Sequence, residues 1–146
     1  MANERISFRG KLGDGGQEVI HLSGGDTDTG YRIVKLVAIP GKPFNSTQES
    51  SIQIYRNKQT SIGNTVDFSD ETLLAVALYK QNDSINYMAY DTVVFDNIVV
   101  NQDIYVVCYD AATGEELNYY IEMEKVKMTN PQIAVINYEA ALLHGD

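Results

Sequence analysis

Residues able to do chemistry are few and badly placed for it. Cys108 is the single cysteine of the 146-residue chain, and the two histidines, His21 and His144, lie far from it in sequence. A thiolate nucleophile wants a base or a positive neighbour, whereas Cys108 stands inside the apolar run IYVVCYD, the setting of a small buried hydrophobe. Neither histidine has a second histidine at metal-ligand spacing, so no zinc site is expected. No Gly-x-Ser-x-Gly elbow appears, and no glycine-rich phosphate loop ends in Lys-Ser or Lys-Thr. Asp26 and Asp28 in GGDTDTG have the two-residue spacing of a calcium loop, but the third acid and the distal glutamate are missing. Glu122 and Glu124 would stand about 5–10 Å apart on one strand face, the separation of a glycosidase pair. A flat strand supplies no cleft, and alternating acids mark a solvated face. The expectation is a protein without catalytic residues, metal or cofactor.

Length and composition frame that expectation. At 146 residues the chain is one domain, spanning 1–146. A domain of this size buries about 68–70% of its unfolded surface and needs neither disulfide nor metal to fold. The net charge of −9 argues against nucleic acid and against anionic membrane surfaces as partners. It permits a partner with a basic patch. No run of eighteen apolar residues exists to cross a membrane as a helix. The opening MANERISFRGK lacks a secretory apolar core, so a cytosol-like site of synthesis is expected.

The elements that must hold these residues read with period two. RISFRGKL alternates Ile6 and Phe8 against Arg5, Ser7 and Arg9. EVIHLS, YRIVKLVAIP, SIQIYR, LLAVALYK, INYMAYDTVVF, the short IVV, IYVVCYD and LNYYIEMEKVKM read as further strands, with TVDFS as a short candidate. SDETL could form one helical turn capped by Ser69. AATGEE reads as a hairpin loop with Gly114 at its tight point. In the return strand Leu117, Tyr119, Ile121 and Met123 share one face, and Asn118, Tyr120, Glu122 and Glu124 the other. The phase then slips, which predicts a bulge or an edge near Lys125. Asn130-Pro131 and Gly145 could bound a short C-terminal helical turn after a strand to about Tyr138. The fold expected is all-β: a single jelly-roll-like β-sandwich of about eight to ten short antiparallel strands.

Ten tyrosines without a tryptophan, most of them in the C-terminal half, suit either ordinary sheet packing or an interface. The residues expected to carry contacts are Tyr109, Tyr119 and Tyr120, with Arg5 and Arg9. Residues 1–11 read either as a first strand or as an extended basic arm.

Three segments, TVDFSDETLLAVALY, VVFDNIVVNQDIYV and LNYYIEMEKVKM, together resemble small virion proteins of marine tailed phages. The likeness covers roughly residues 31–128 and lies in strand patterns and in turn residues such as Asp96-Asn97 and Asn101-Gln102-Asp103. It implies a non-enzymatic structural protein made in the host cytoplasm and placed on the capsid surface. There it would act as a decoration or cement protein that contacts the major capsid protein or other virion proteins, as a homo-oligomer. A neck or tail component is the neighbouring alternative. Two other classes stay open on the residues alone: a glycan-binding sandwich, and a hydrolase using Glu122 or Glu124.

Overall fold

The computed structural model describes residues 4–22, 28–42, 47–81, 90–112 and 114–129. Eight strands run through them: β1 (Arg5–Leu12), β2 (Gln17–Ile20), β3 (Thr29–Pro40), β4 (Gln48–Tyr55), β5 (Leu73–Gln81), β6 (Tyr90–Phe95), β7 (Ile104–Asp110) and β8 (Leu117–Lys127). They form a three-stranded sheet, β1-β8-β3, and a five-stranded sheet, β2-β7-β4-β5-β6. All strand pairings are antiparallel. The two sheets pack face to face around one apolar cluster, so the expected all-β sandwich is the fold found.

The pairing is nested. β1 pairs β8, β2 pairs β7 and β4 pairs β5, as when one long hairpin is rolled up into two layers. That is a jelly-roll order with one departure. β6 joins β5, and β3 meets the chain just past β6 through a Tyr31–Val100 bridge with N···O distances of 2.7 and 2.8 Å.

Alternation explains which side chains form the core. From the small sheet, β8 sends Leu117, Tyr119, Ile121 and Met123 inward, and β3 sends Ile33, Leu36 and Ala38. From the large sheet come Ile52 and Ile54 of β4 and Ile104, Val106 and Cys108 of β7. The strands are rich in β-branched and aromatic residues, which suit a pleated, half-buried surface. β3 keeps its apolar face inward across a phase change because the register with β8 shifts between Ile33 and Lys35. Val34 and Lys35 thus stand between two buried positions, Ile33 and Leu36.

Several local expectations are corrected. β7 and β8 belong to different sheets, so the chain passes between layers from Asp110 to Leu117 instead of closing a hairpin. Gly114 does take the left-handed turn, at φ +76°. What directs the crossing is Asp110. Its carboxylate accepts hydrogen bonds from Glu49 N (3.1 Å), Ser50 Oγ (3.1 Å) and Glu115 N (2.8 Å), tying the start of β4 to the loop. The bulge lies on β3, whereas β8 keeps an unbroken register; its burial phase slips after Glu124 at an edge, where the β1 ladder ends at Arg5 and one further bond, Lys125 N to Glu4 O (2.8 Å), closes that side. β1 is paired with β8 along its whole length, which makes residues 5–11 a strand of the sheet and not a free arm. Residues 65–69 form no strand, and Ser69 caps no helix. Asp67 and Asp70 instead close two consecutive turns with their own side chains, bonding Ser69 N (2.9 Å) and Thr72 N (2.8 Å). The C-terminal strand and helical turn expected after Asn130 lie outside the described residues.

Ile121 is fully buried at the centre of the small sheet. Ile121→Ala is expected to lower unfolding free energy by about 2–5 kcal/mol in urea titrations. A cost under about 1 kcal/mol would contradict the packing described.

Candidate functional site

Cross-strand register arranges the outer face of the small sheet in four rows. They are Arg5–Glu124–Arg32, Ser7–Glu122–Lys35, Arg9–Tyr120–Val37 and Lys11–Asn118–Ile39. In the first two rows the glutamates are matched by bases. Arg32 donates to Glu124 through Nε (2.9 Å) and Nη2 (2.5 Å), and Arg5 reaches Glu122 at 3.0 Å. The Arg5 hydrogen bond holds the Glu122 carboxyl below its usual value. A general acid needs the opposite shift, so the two carboxylates have the electrostatics of a surface ion-pair ladder.

The last two rows contain bases without acids between them. Arg9 makes no ion pair among the described residues, and Lys11 stands 4.0 Å from Glu116 at the sheet's end. The Lys35 ammonium lies 5.8 Å from the Tyr120 ring centroid, within cation–π range. Arg9, Lys11, Val37, Ile39, Asn118 and Tyr120 line an open groove of about 560 Å³. Ile39 is 53% exposed.

The five residues expected to carry contacts do not form one surface. Arg5, Arg9 and Tyr120 lie on the outer face of the small sheet. Tyr109 lies on the outer face of the large sheet, beside Ser51, Leu78 and Lys80. Tyr119 is corrected outright: it is 2% exposed and belongs to the core. It points inward with Leu117 and Ile121, and its hydroxyl donates to Glu18 of β2, linking the two sheets. Burial and that carboxylate raise its pKa. The room for its ring comes from Gly10, where an added Cβ would fall 2.7 Å from the Tyr119 hydroxyl.

Other reactive groups are held structurally. Cys108 is buried, and burial with Asp110 and Asp14 nearby pushes its thiol up to about 12, leaving it protonated at neutral pH. His21 Nδ1 lies 3.1 Å from Asp103, whose other oxygen accepts from Leu22 N. Among the described residues no group of three or more His, Cys, Asp or Glu side chains could hold a metal ion. Asp26 and His144 lie outside the described residues. Asp28 is within them, and its carbonyl accepts from Met128 N.

A polar recess of about 300 Å³ lies beneath residues 56–72, which fold over the large sheet by packing Ile62 and Val66 on Tyr55, Val76 and Val107. Its polar groups bond largely to one another: Gln53 Nε2 donates to Thr65 O (3.2 Å), and the Tyr55 hydroxyl to Gln53. Within this segment Phe68 stands out, 72% exposed between Asp67 and Asp70. Reading TVDFS as a strand hid this residue. The signal available was an aromatic enclosed by acids in DFSDE, a composition that favours turns and leaves the ring no core to enter.

Two outcomes check these assignments. Asp110 is buried, which raises its pKa, but its hydrogen bonds outweigh burial and leave it below the usual aspartate value. A depressed carboxyl stabilises the fold above its unfolded pKa of about 4, and that stabilisation is lost as pH falls through the folded value. Asp110→Asn is expected to cost about 1–3 kcal/mol at pH 7 and to flatten the acid limb of a stability–pH curve. An unchanged limb would contradict the role given to Asp110. For the tyrosines, Tyr119→Ala is expected to cost about 3–5 kcal/mol in chemical denaturation, as for truncating a buried aromatic. Tyr120→Ala should cost under about 1 kcal/mol, and equal losses would refute the division into core and face.

Compared with known proteins, the chain matches no protein-family model and no curated protein sequence.

Proposed function

We propose that this protein is a structural component of a tailed-phage virion, a capsid decoration or cement protein that stabilises the shell through protein–protein contacts. The observation that carries the reading is the set of large apolar side chains left in solvent by an otherwise well-filled sandwich: Phe68, Ile39, Val94, Leu78 and Phe95. Burying one such side chain is worth roughly 1.5–3 kcal/mol, and groups of them bordered by charge are what contact surfaces use. The resemblance of residues 31–128 to phage virion proteins agrees with work done by adhesion. A cement protein stabilises a shell by mass action, binding the assembled state and not the dissociated one. The major capsid protein is the partner this reading names, with a neck or tail position as the variant in which far fewer copies are present.

Sedimentation of intact particles followed by quantitative mass spectrometry tests it. Copies in the hundreds are expected for shell decoration, and about a dozen or fewer would move the protein to the neck or tail. Absence from purified particles would overturn the proposal.

A further inference from the structure

The two sheets divide the chain's charge between them. Seven of the eleven lysines and arginines lie on the three strands of the small sheet: Arg5, Arg9, Lys11, Arg32, Lys35, Lys125 and Lys127. The acids of those strands are Glu122 and Glu124, both already matched by arginines. Of the other five cations, Lys125 pairs with Glu4 at 3.4 Å and Lys127 lies at the far end of β8, which leaves Arg9 and Lys11 in the groove and Lys35 beside Tyr120, on a protein whose net charge is −9.

On the opposite layer stands its chemical complement. The loop Asp67–Glu71 presents Phe68 to solvent among three acids, and it is held in shape before any contact is made. Asp67 Oδ1 accepts from Ser69 N and Oγ (2.9 and 2.5 Å), Asp70 N donates to Asp67 O (3.1 Å), and Asp70 Oδ1 accepts from Thr72 N and Oγ1 (2.8 and 2.6 Å). A preset loop loses little conformational entropy on docking. The hydroxyl and amide of Ser69 hold the Asp67 carboxyl below its usual value, so it stays charged.

We propose that Phe68 and its flanking acids dock into the Arg9–Lys11–Tyr120 groove of a second copy of this chain. Phe68 enters between Tyr120, Val37 and Ile39, while Asp67, Asp70 and Glu71 meet Arg9, Lys11 and Lys35. The loop packs on the outer face of the large sheet and the groove lies on the outer face of the small one. One molecule cannot bring its own loop into its own groove, so the contact is between copies and runs head to tail. Such a heterologous contact builds a ring where the rotation closes and a filament where it does not. This gives the assembly proposed above a specific joint, yet it rests on the two surfaces alone. A protein missing from particles could still associate in this way, and one present in particles could lack it.

Sedimentation velocity on the purified full chain tests the proposal. At about 50 mM salt the wild type should sediment as species larger than a monomer, and these should dissociate near 0.5 M salt, where screening shortens charge interactions to a few ångströms. Arg9→Ser with Lys11→Ser removes the groove's charge, and Phe68→Ser with Asp70→Lys removes the loop. Each variant alone should weaken association by about tenfold or more. Mixed in equal amounts they should form a one-to-one heterodimer and nothing larger, because one intact groove meets one intact loop. Glu71→Lys, outside both turn bonds, replaces the loop variant should that one fail to fold. A wild type that stays monomeric, variants that associate as it does, or a mixture without heterodimer would overturn the proposal.

Discussion

Everything in this fold hangs on the alternation of one strand. β8 is the middle of the small sheet, paired with β1 on one side and β3 on the other. Its odd residues from Leu117 to Met123 fill the sandwich, and its even residues from Asn118 to Glu124 face outward. A slip of one residue would put Glu122 in the core and Ile121 in water, and burying an unpaired carboxylate costs far more than the slip could return. The register is fixed for that reason. The same register sets the four outward rows, so the groove is a by-product of how the core is packed.

The two layers then serve different ends. The small sheet gathers cations and keeps two acids only where bases already flank them. The large sheet is capped by residues 56–72, which bond to it through Gln59 with Gln17 and Thr65 with Gln53 and whose turns leave Phe68 outside. Stability rests on the interior and contact chemistry on the two outer faces. Alterations on the faces are therefore open to test without loss of the fold.

Period-two alternation made most of this architecture legible in the sequence. Strand identity, the two faces of β8 and the buried state of Cys108 all follow from which side of a sheet a side chain must take. That alternation already sets Tyr119 with Leu117 and Ile121, and expecting it to carry contacts beside Tyr120 put residue type above phase. Two things did not follow. Sheet membership is decided by distant partners, so a run of residues around Gly114 that suits a hairpin turns out to carry the chain across the sandwich under the direction of Asp110. Phe68 sits in a pattern that alternates like a strand, while the side chains of Asp67 and Asp70 capture the backbone amides and make turns instead. The groove was half visible: Arg9 and Tyr120 could be named, but their alignment with Lys11, Val37 and Ile39 needed the register of three strands.

Native-state hydrogen exchange measures the central constraint most directly. If β8 is the seam of the molecule, its amides from Leu117 to Met123 exchange only through global unfolding, while those of Val126 and Lys127, past the Lys125 N–Glu4 O bond that ends contact with the β1 side, exchange through smaller openings. Protection across Leu117–Met123 no greater than that of the edge strand β6 would contradict the account.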